Sequence, residues 1–356
     1  MSVITYKFRV KNGVKRLNAL ATQCNTVWNF CVATQREAQR RWDAGLNTRW
    51  PTWVDLCKLC TGSSTLLGIH SDTVAQICRQ FVKSRDTHRK CPRFRASFGS
   101  RKALGWVPYI PRAASLGSDG VHYLKRRYSL WQHRAVEGEF LCGAFVQDAQ
   151  GHWYATFSCE VPDDLPTGDG EVGIDLGLKS FAALSDGTAI EAPRIYRKYE
   201  AALGVAQRAG NKKRARAIHA KIKNRRHHFL HVESARIVRE NRLIAVGNVN
   251  SASLAKTKLA KSVLDAGWSS FRHMLHYKSA RRQAVCVEVD EAFSTQSCSA
   301  CGCLPASRPV GRAGLRVRAW VCSECGVSHD RDTNAAINIL CSGRNAALRL
   351  TKIPTL

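Results

Sequence analysis

Two pairs of cysteines offer the clearest chemistry. Cys298-Ser-Ala-Cys301-Gly and Cys322-Ser-Glu-Cys325-Gly form a C-x2-C-x20-C-x2-C pattern, with a glycine after each pair where the chain must turn. Four thiolates at this spacing suit tetrahedral Zn2+ and leave no open position, so the expected ion is structural. Cys303 lies beside the first pair and is a poorer ligand. Cys57-Lys-Leu-Cys60 is a lone C-x2-C in a helical context. It supplies half a site and reads as core packing. Carboxylates form the second group. Val172-Gly173-Ile174-Asp175-Leu176-Gly177 ends an apolar strand on an acid, and Gly173 and Gly177 leave room for something large to approach. A buried carboxylate needs a partner, and Mg2+ is one, although a turn or cap explains Asp175 about as well. His329-Asp330-Arg331-Asp332-Thr333 opens a helix directly after the cysteine insert. There Asp330 fits an N-cap and Asp332 the first helical turn, where the helix dipole favours an acid.

The elements that must position these groups follow from periodicity. Residues 3–10 alternate as a half-buried strand. Residues 14–44 read as a helix with Leu17, Leu20, Cys24, Val27, Trp28 and Cys31 on one face. A second helix follows Ser71 as N-cap, and residues 83–112 are basic and irregular. Short strands include 140–146 and 153–159, and PDDLPTGDG at 162–170 is a linker. Beyond it come strands at 171–175 and 181–184, helices over 196–240, a strand at 243–246, a helix near 260–282, a strand at 284–289 and a helix at 333–340. That alternation predicts an α/β region.

The chain of 356 residues is 44% hydrophobic and carries 55 Lys and Arg against 27 Asp and Glu, a formal charge of +28. It can bury a core, and so basic a surface needs a polyanionic partner. No apolar run reaches the ~18 residues of a spanning helix, so nucleic acid is favoured over a membrane. No apolar leader follows the N-terminus, and the fifteen cysteines are expected to be reduced or metal-bound in a cytoplasmic, nucleoid-associated protein.

Several of these motifs together resemble the TnpB family of transposon-encoded RNA-guided nucleases, relatives of the miniature type V CRISPR effectors. The residues concerned are Gly173–Gly177, the four-cysteine insert, and Asp330 to Asn338. Further matches are Gly247-Asn248-Val249-Asn250, Ser262 to Trp268, Phe293-Ser294-Thr295-Gln296, Trp28-Asn29 and Leu104 to Pro108. The resemblance implies a RuvC-like, RNase H-type nuclease domain at 171–295 and 327–342 with a zinc ribbon inserted at 296–326. It also implies a β-barrel-like wedge domain at 1–12 and 101–165, a helical recognition domain at 13–100, and a C-terminal tail at 343–356. The implied partners are a guide RNA encoded near the gene and a double-stranded DNA target, with catalytic Mg2+.

One departure bears on activity. Such a site uses three acids: Asp175 matches the first and Asp332 the third. The second is a Glu ending the fourth strand, and here Gly247 stands in its place. Relatives commonly have Pro where this chain has Glu291, after the next strand. Adjacent parallel strands lie ~4.8 Å apart, a gap that a Glu side chain can cross, so Glu291 is the expected replacement. Glu288 and Asp290 compete for the role; Asp290 resembles a residue common in intact relatives, and the face of Glu288 is undetermined. The alternative is a nuclease-dead, RNA-guided DNA-binding repressor. A third reading, a zinc-ribbon DNA-binding protein without RNA, leaves Asp175 and Asp332 without a role.

Residues 194–226 hold twelve Lys or Arg and one acid. Lys212, Lys213, Arg214, Lys223, Arg225 and Arg226 are the candidate contacts to phosphates of a guide–target heteroduplex. The stretch 84–101 interleaves Phe94 and Phe98 with basic residues, which suits RNA stacking or a solvated loop equally.

Overall fold

The computed structural model describes residues 1–314 and 316–351. The chain divides into two compact units, Val3–Val161 and Pro162 onward. Among the described residues no helix is long and apolar enough to cross a membrane.

In the first unit β1 (Ser2–Val10) turns Tyr6, Phe8 and Val10 inward. Helix α1 (Val14–Asp43) buries the face read from its spacing, Leu17 to Cys31. Two short helices follow, α2 (Trp53–Leu59) and α3 (Ser63–Leu67), then α4 (Ser71–His88). The α4 cap is His70 rather than Ser71: the His70 ring accepts a hydrogen bond from the Asp72 N–H. Strands β2 (Trp106–Tyr109), β3 (Ala114–Gly117), β4 (Gly120–Tyr123), β5 (Arg126–Tyr128), β6 (Leu130–Trp131), β7 (Glu139–Gln147) and β8 (Trp153–Val161) complete the unit. They form a five-stranded sheet of order β2-β7-β8-β1-β6 and a three-stranded sheet β3-β4-β5. Trp28 is core, as its position predicts, edge-on to Phe81 and Trp106 with the Arg95 guanidinium stacked on its ring.

The second unit holds the candidate acids. Its sheet combines β9 (Gly170–Leu176), β10 (Ser180–Leu184), β11 (Ala189–Glu191), β12 (Asn241–Gly247) and β13 (Val285–Val289) in the order β11-β10-β9-β12-β13. Strand β10 is antiparallel to β9 and β11, whereas β12 is parallel to both β9 and β13. Helices α5 (Ile195–Arg208) and α6 (Lys212–Glu240) lead into β12, and α7 (Ser251–Leu254), α8 (Ala260–Ala266) and α9 (Trp268–Arg281) lead out of it. The single helix expected near 260–282 is two. Gly267, at φ 72°, ends α8 in a left-handed turn that caps α9. The cysteine insert carries a short helix α10 (Gly311–Gly314) and a β14 (Ala319–Val321)–β15 (Ser328–Asp330) hairpin.

Helix α11 (Arg331–Thr351) runs well past Leu340, into the segment expected to be a tail; residues 352–356 of that segment lie outside the described residues. The helix lies on β9 and β12. A Cβ on Gly173 would sit 2.0 Å from the Ala336 carbonyl oxygen, and one on Gly343 would sit 2.3 Å from the Ala245 Cβ. The large body that Gly173 admits is therefore the chain's own last helix.

Candidate functional site

The four insert cysteines converge. Zn–S bonds of ~2.3 Å give a tetrahedron with S–S edges of ~3.8 Å. The Cys298 and Cys325 sulfurs are 3.6 Å apart, the Cys301 and Cys322 sulfurs 3.8 Å, and all four lie within 4.8 Å of one another. This set can hold a tetrahedral, thiophilic cation. Cys303 stays outside the group and is exposed. The His329 Nε2 lies 3.0 Å from the Cys298 sulfur, in position to hydrogen-bond a ligand.

The insert is clamped at its two ends. Asn334 and Asn338, one turn apart on α11, each donate to the Ser294 and Ser297 carbonyls. Asn334 also accepts from the Ser299 N–H. These two asparagines carry no charge and belong to no metal pattern, so sequence reasoning gives them no role. The available signal is their spacing of four on one helix face.

Three carboxylates approach the sheet edge from different elements. Asp175 ends β9 beside the end of β12, where Val246 pairs with Ile174. Burial first, then the charges of Glu291 and Asp332, push the Asp175 carboxyl from its ordinary 3.8 up to about 7, against the opposing charge of Arg331. Glu291 follows β13, whose Val289 pairs with Gly247. A Cβ built on Gly247 would lie 2.0 Å from Glu291 Oε1 and 2.6 Å from its Cγ. The Glu291 side chain thus fills the space a side chain at 247 would take. Its Oε1 accepts a hydrogen bond from the Val249 N–H at 3.2 Å, and burial raises its pKa. Asp332 stands in the first turn of α11, paired with Arg318 and with Arg331 at 2.9 Å. Asp330 caps that turn, accepting from the Asp332 and Thr333 N–H groups.

The two competing acids go elsewhere. Glu288 points toward α9, near His276 at 3.2 Å and Arg272 at 3.5 Å. Val287 and Val289 face the other way, packing with Ala245 and Ile339. Asp290 accepts from the Ala292 N–H in a turn. Arg272 also donates to the Val249 carbonyl at 3.1 Å, which ties the loop after β12 to α9. Nothing in the local sequence marks Arg272, because its partners, the Glu288 carboxylate and the backbone after β12, are distant in the chain.

Two families match the second half of the chain. One, described as "Probable transposase", covers residues 156–258, and the other, "Cas12f1-like, TNB domain", covers residues 268–339. A Streptomyces pristinaespiralis protein named "Putative RNA-guided DNA endonuclease" is 38% identical over 56% of this chain and 52% of its own length. The chain is TnpB-like. This TnpB-like chain spans about half the length of that relative. It also aligns with InsQ of Escherichia coli, which bears the same description, at 23% identity over 95% of this chain and 92% of InsQ. A cryo-EM structure of a Cas12f1–sgRNA–target DNA complex overlaps 96% of the chain and 99% of the Cas12f1 chain at 13% identity. The TM-score of that overlap is 0.38.

The basic residues of the TnpB-like chain divide into two groups. Lys212, Lys213, Arg214, Lys223 and Arg225 are exposed along α6. Arg226 instead donates to Asp265 at 2.7 Å, and the same carboxylate accepts from the Tyr196 N–H. Because Asp265 is buried, this pair holds α6 against α8. His227 and His231 meet edge to face, with their Nε2 atoms 3.2 Å apart. In the first unit Phe94 and Phe98 stay exposed, while the backbone on either side of Phe94 is pinned: Trp28 donates to the Arg93 carbonyl, and Asn29 exchanges two hydrogen bonds with the Arg95 backbone.

Proposed function

We propose that the chain is an RNA-guided, Mg2+-dependent DNA endonuclease whose acids are Asp175, Glu291 and Asp332, the glutamate having moved from position 247 to the end of the neighbouring strand. The reading rests on one observation: the Glu291 carboxylate occupies the place of the missing Gly247 side chain. The donor set also fits a hard divalent ion. Burial and the charges of Glu291 and Asp332 raise the proton affinity of Asp175, the mark of a site that gains from a bound cation.

Bound Mg2+ would supply positive charge for the attacking and leaving oxygens of phosphodiester hydrolysis. The chain's own residues orient the acids. The Val249 N–H fixes Oε1 of Glu291, Arg272 holds the loop that carries this donor, and Arg318 and Arg331 pair with Asp332 at the helix start. In this reading the second unit is a RuvC-like, RNase H-type domain with an inserted zinc ribbon at 296–326. The first is a barrel-like wedge (1–12, 101–165) around a helical recognition domain (13–100). The partners are a guide RNA encoded near the gene and double-stranded DNA, with α6 along the heteroduplex.

The test is a plasmid cleavage assay with the RNA encoded beside the gene, with and without Mg2+. Wild type cuts, while Glu291→Ala is as inactive as Asp175→Ala and still binds the guided target. An active Glu291→Ala would overturn the relocated glutamate. A wild type that binds its guided target yet never cuts, in Mg2+ or Mn2+, would establish the repressor.

A further inference from the structure

The lone Cys57-x2-Cys60 pair is not alone in the folded chain. Helix α1 brings Cys31 to it and α4 brings Cys78, so three helices deliver four thiols to one place in the first unit. The Cys31 and Cys78 sulfurs are 3.9 Å apart. Cys60 lies near enough to both to perturb their ionisation, and Cys78 does the same to Cys57. Cys31 and Cys78 are fully buried and Cys60 nearly so, while Cys57 is partly open to solvent. We propose that Cys31, Cys57, Cys60 and Cys78 form a second thiolate site that binds one Zn2+ ion as a structural cross-link.

Three observations carry this beyond ordinary core packing. The first is the donor set: C-x2-C on a short helix and one cysteine from each of two neighbouring helices supply the four sulfurs that a closed shell needs. The 3.9 Å separation of Cys31 and Cys78 is close to the ~3.8 Å sulfur–sulfur edge of such a shell and far from the ~2.05 Å of a disulfide.

The second is the weak anchorage of the segment that carries the pair. In α2 only Leu56 is buried, and in α3 nothing is. Trp53, Val54, Leu59 and Leu66 are exposed. So little apolar burial leaves residues 53–67 needing another restraint, and ligation would supply it, because metal binding and local folding are coupled. The four thiols are looser than the insert set, whose sulfurs all lie within 4.8 Å. The lightly held α2 is the element able to close them.

The third is charge and access. Four thiolates around a dication leave a net charge of about −2. Arg79, stacked on Trp53, provides opposing charge beside Cys57. Cys57, at the open side, gives the ion a path in.

This site is independent of the nuclease reading, and its test needs no activity. The full chain, purified from zinc-supplied culture, should carry about two zinc ions per chain by mass-spectrometric metal analysis. Cys57→Ser with Cys60→Ser should hold about one, and Cys298→Ser with Cys322→Ser should also hold about one. The second variant keeps the first unit intact, so it reports on the new site even where the first fails to fold. Alkylation mapping adds a residue-level readout: Cys31, Cys57, Cys60 and Cys78 should be protected in the native protein and become reactive together on chelation. A wild type with about one zinc ion, all of it lost in Cys298→Ser/Cys322→Ser, would overturn the proposal. So would a Cys31–Cys78 disulfide in the freshly purified protein.

Discussion

Neutralising Asp175 should stabilise the metal-free protein while destroying its activity. The Asp175 carboxyl titrates at about 7 in the fold against 3.8 ordinarily. Folding therefore takes up a proton between those values. The favourable contribution is complete below pH ~4 and is lost as pH rises through ~7, where the ionised group is crowded by two other acids. At ~1.36 kcal/mol per pH unit the penalty at pH 8 is roughly 4 kcal/mol. Asp175→Asn removes that charge at nearly constant volume. In Mg2+-free buffer at pH 8 its Tm should exceed that of wild type by ~8–15 °C, taking ~2–4 °C per kcal/mol for a unit of this size. At pH 4 the two should coincide, since other carboxylates titrate alike in both proteins. Adding Mg2+ should raise the Tm of wild type more than that of the variant. The measurement is differential scanning calorimetry without chelator, which would strip the thiolate-bound ion. A variant no more stable than wild type at pH 8, or one whose advantage persists at pH 4, would refute the crowded-acid account.

The other predictions use different observables. Gly173→Ala should cost at least ~2 kcal/mol in chemical denaturation, because its Cβ would meet the Ala336 carbonyl, and neither backbone can yield cheaply. Lys223→Ala with Arg225→Ala should weaken nucleic-acid binding alike for all target sequences and flatten its salt dependence by about one slope unit for each phosphate no longer neutralised. Arg226→Ala should instead lower stability by ~2 kcal/mol with an unchanged salt slope, since it strands Asp265. Cys298→Ser should release metal and destabilise the second unit, measurable as zinc lost on gel filtration.

What the sequence made legible follows from how local the causes are. Strands β1, β7, β8, β9, β12 and β13 show in alternating or continuous apolar runs, because each faces a core on one side or both. Strands β3 to β6 show only as a region of short strands that cannot be placed singly, because they are two to four residues long, and β2 is hidden by the Pro108 inside it. The extension of α11 is hidden because Gly343 looks like a stop. It sits mid-helix because only a residue without a Cβ lets the helix touch Ala245. Strand alternation alone could not say which way Glu288 points; the apolar contacts of Val287 and Val289 with Ile339 decide it. Cys31 and Cys78 are invisible in sequence as partners of the C-x2-C pair because they stand singly on separate helices, and only tertiary packing brings them together. Reading Cys57 and Cys60 as half a site misses them for that reason.

The asparagine clamp at the root of the cysteine insert has an architectural consequence. Because Asn334 and Asn338 hold the chain where it leaves and re-enters the fold, the path between is a closed loop whose length does not transmit to the acids on either side. Closure entropy grows slowly, by about 0.6 kcal/mol per doubling of loop length. Residues added between Cys303 and Arg318 should therefore leave Glu291 and Asp332 in register. The segment is a port at which foreign sequence can be spliced into the chain with the geometry of the carboxylates insulated from the graft.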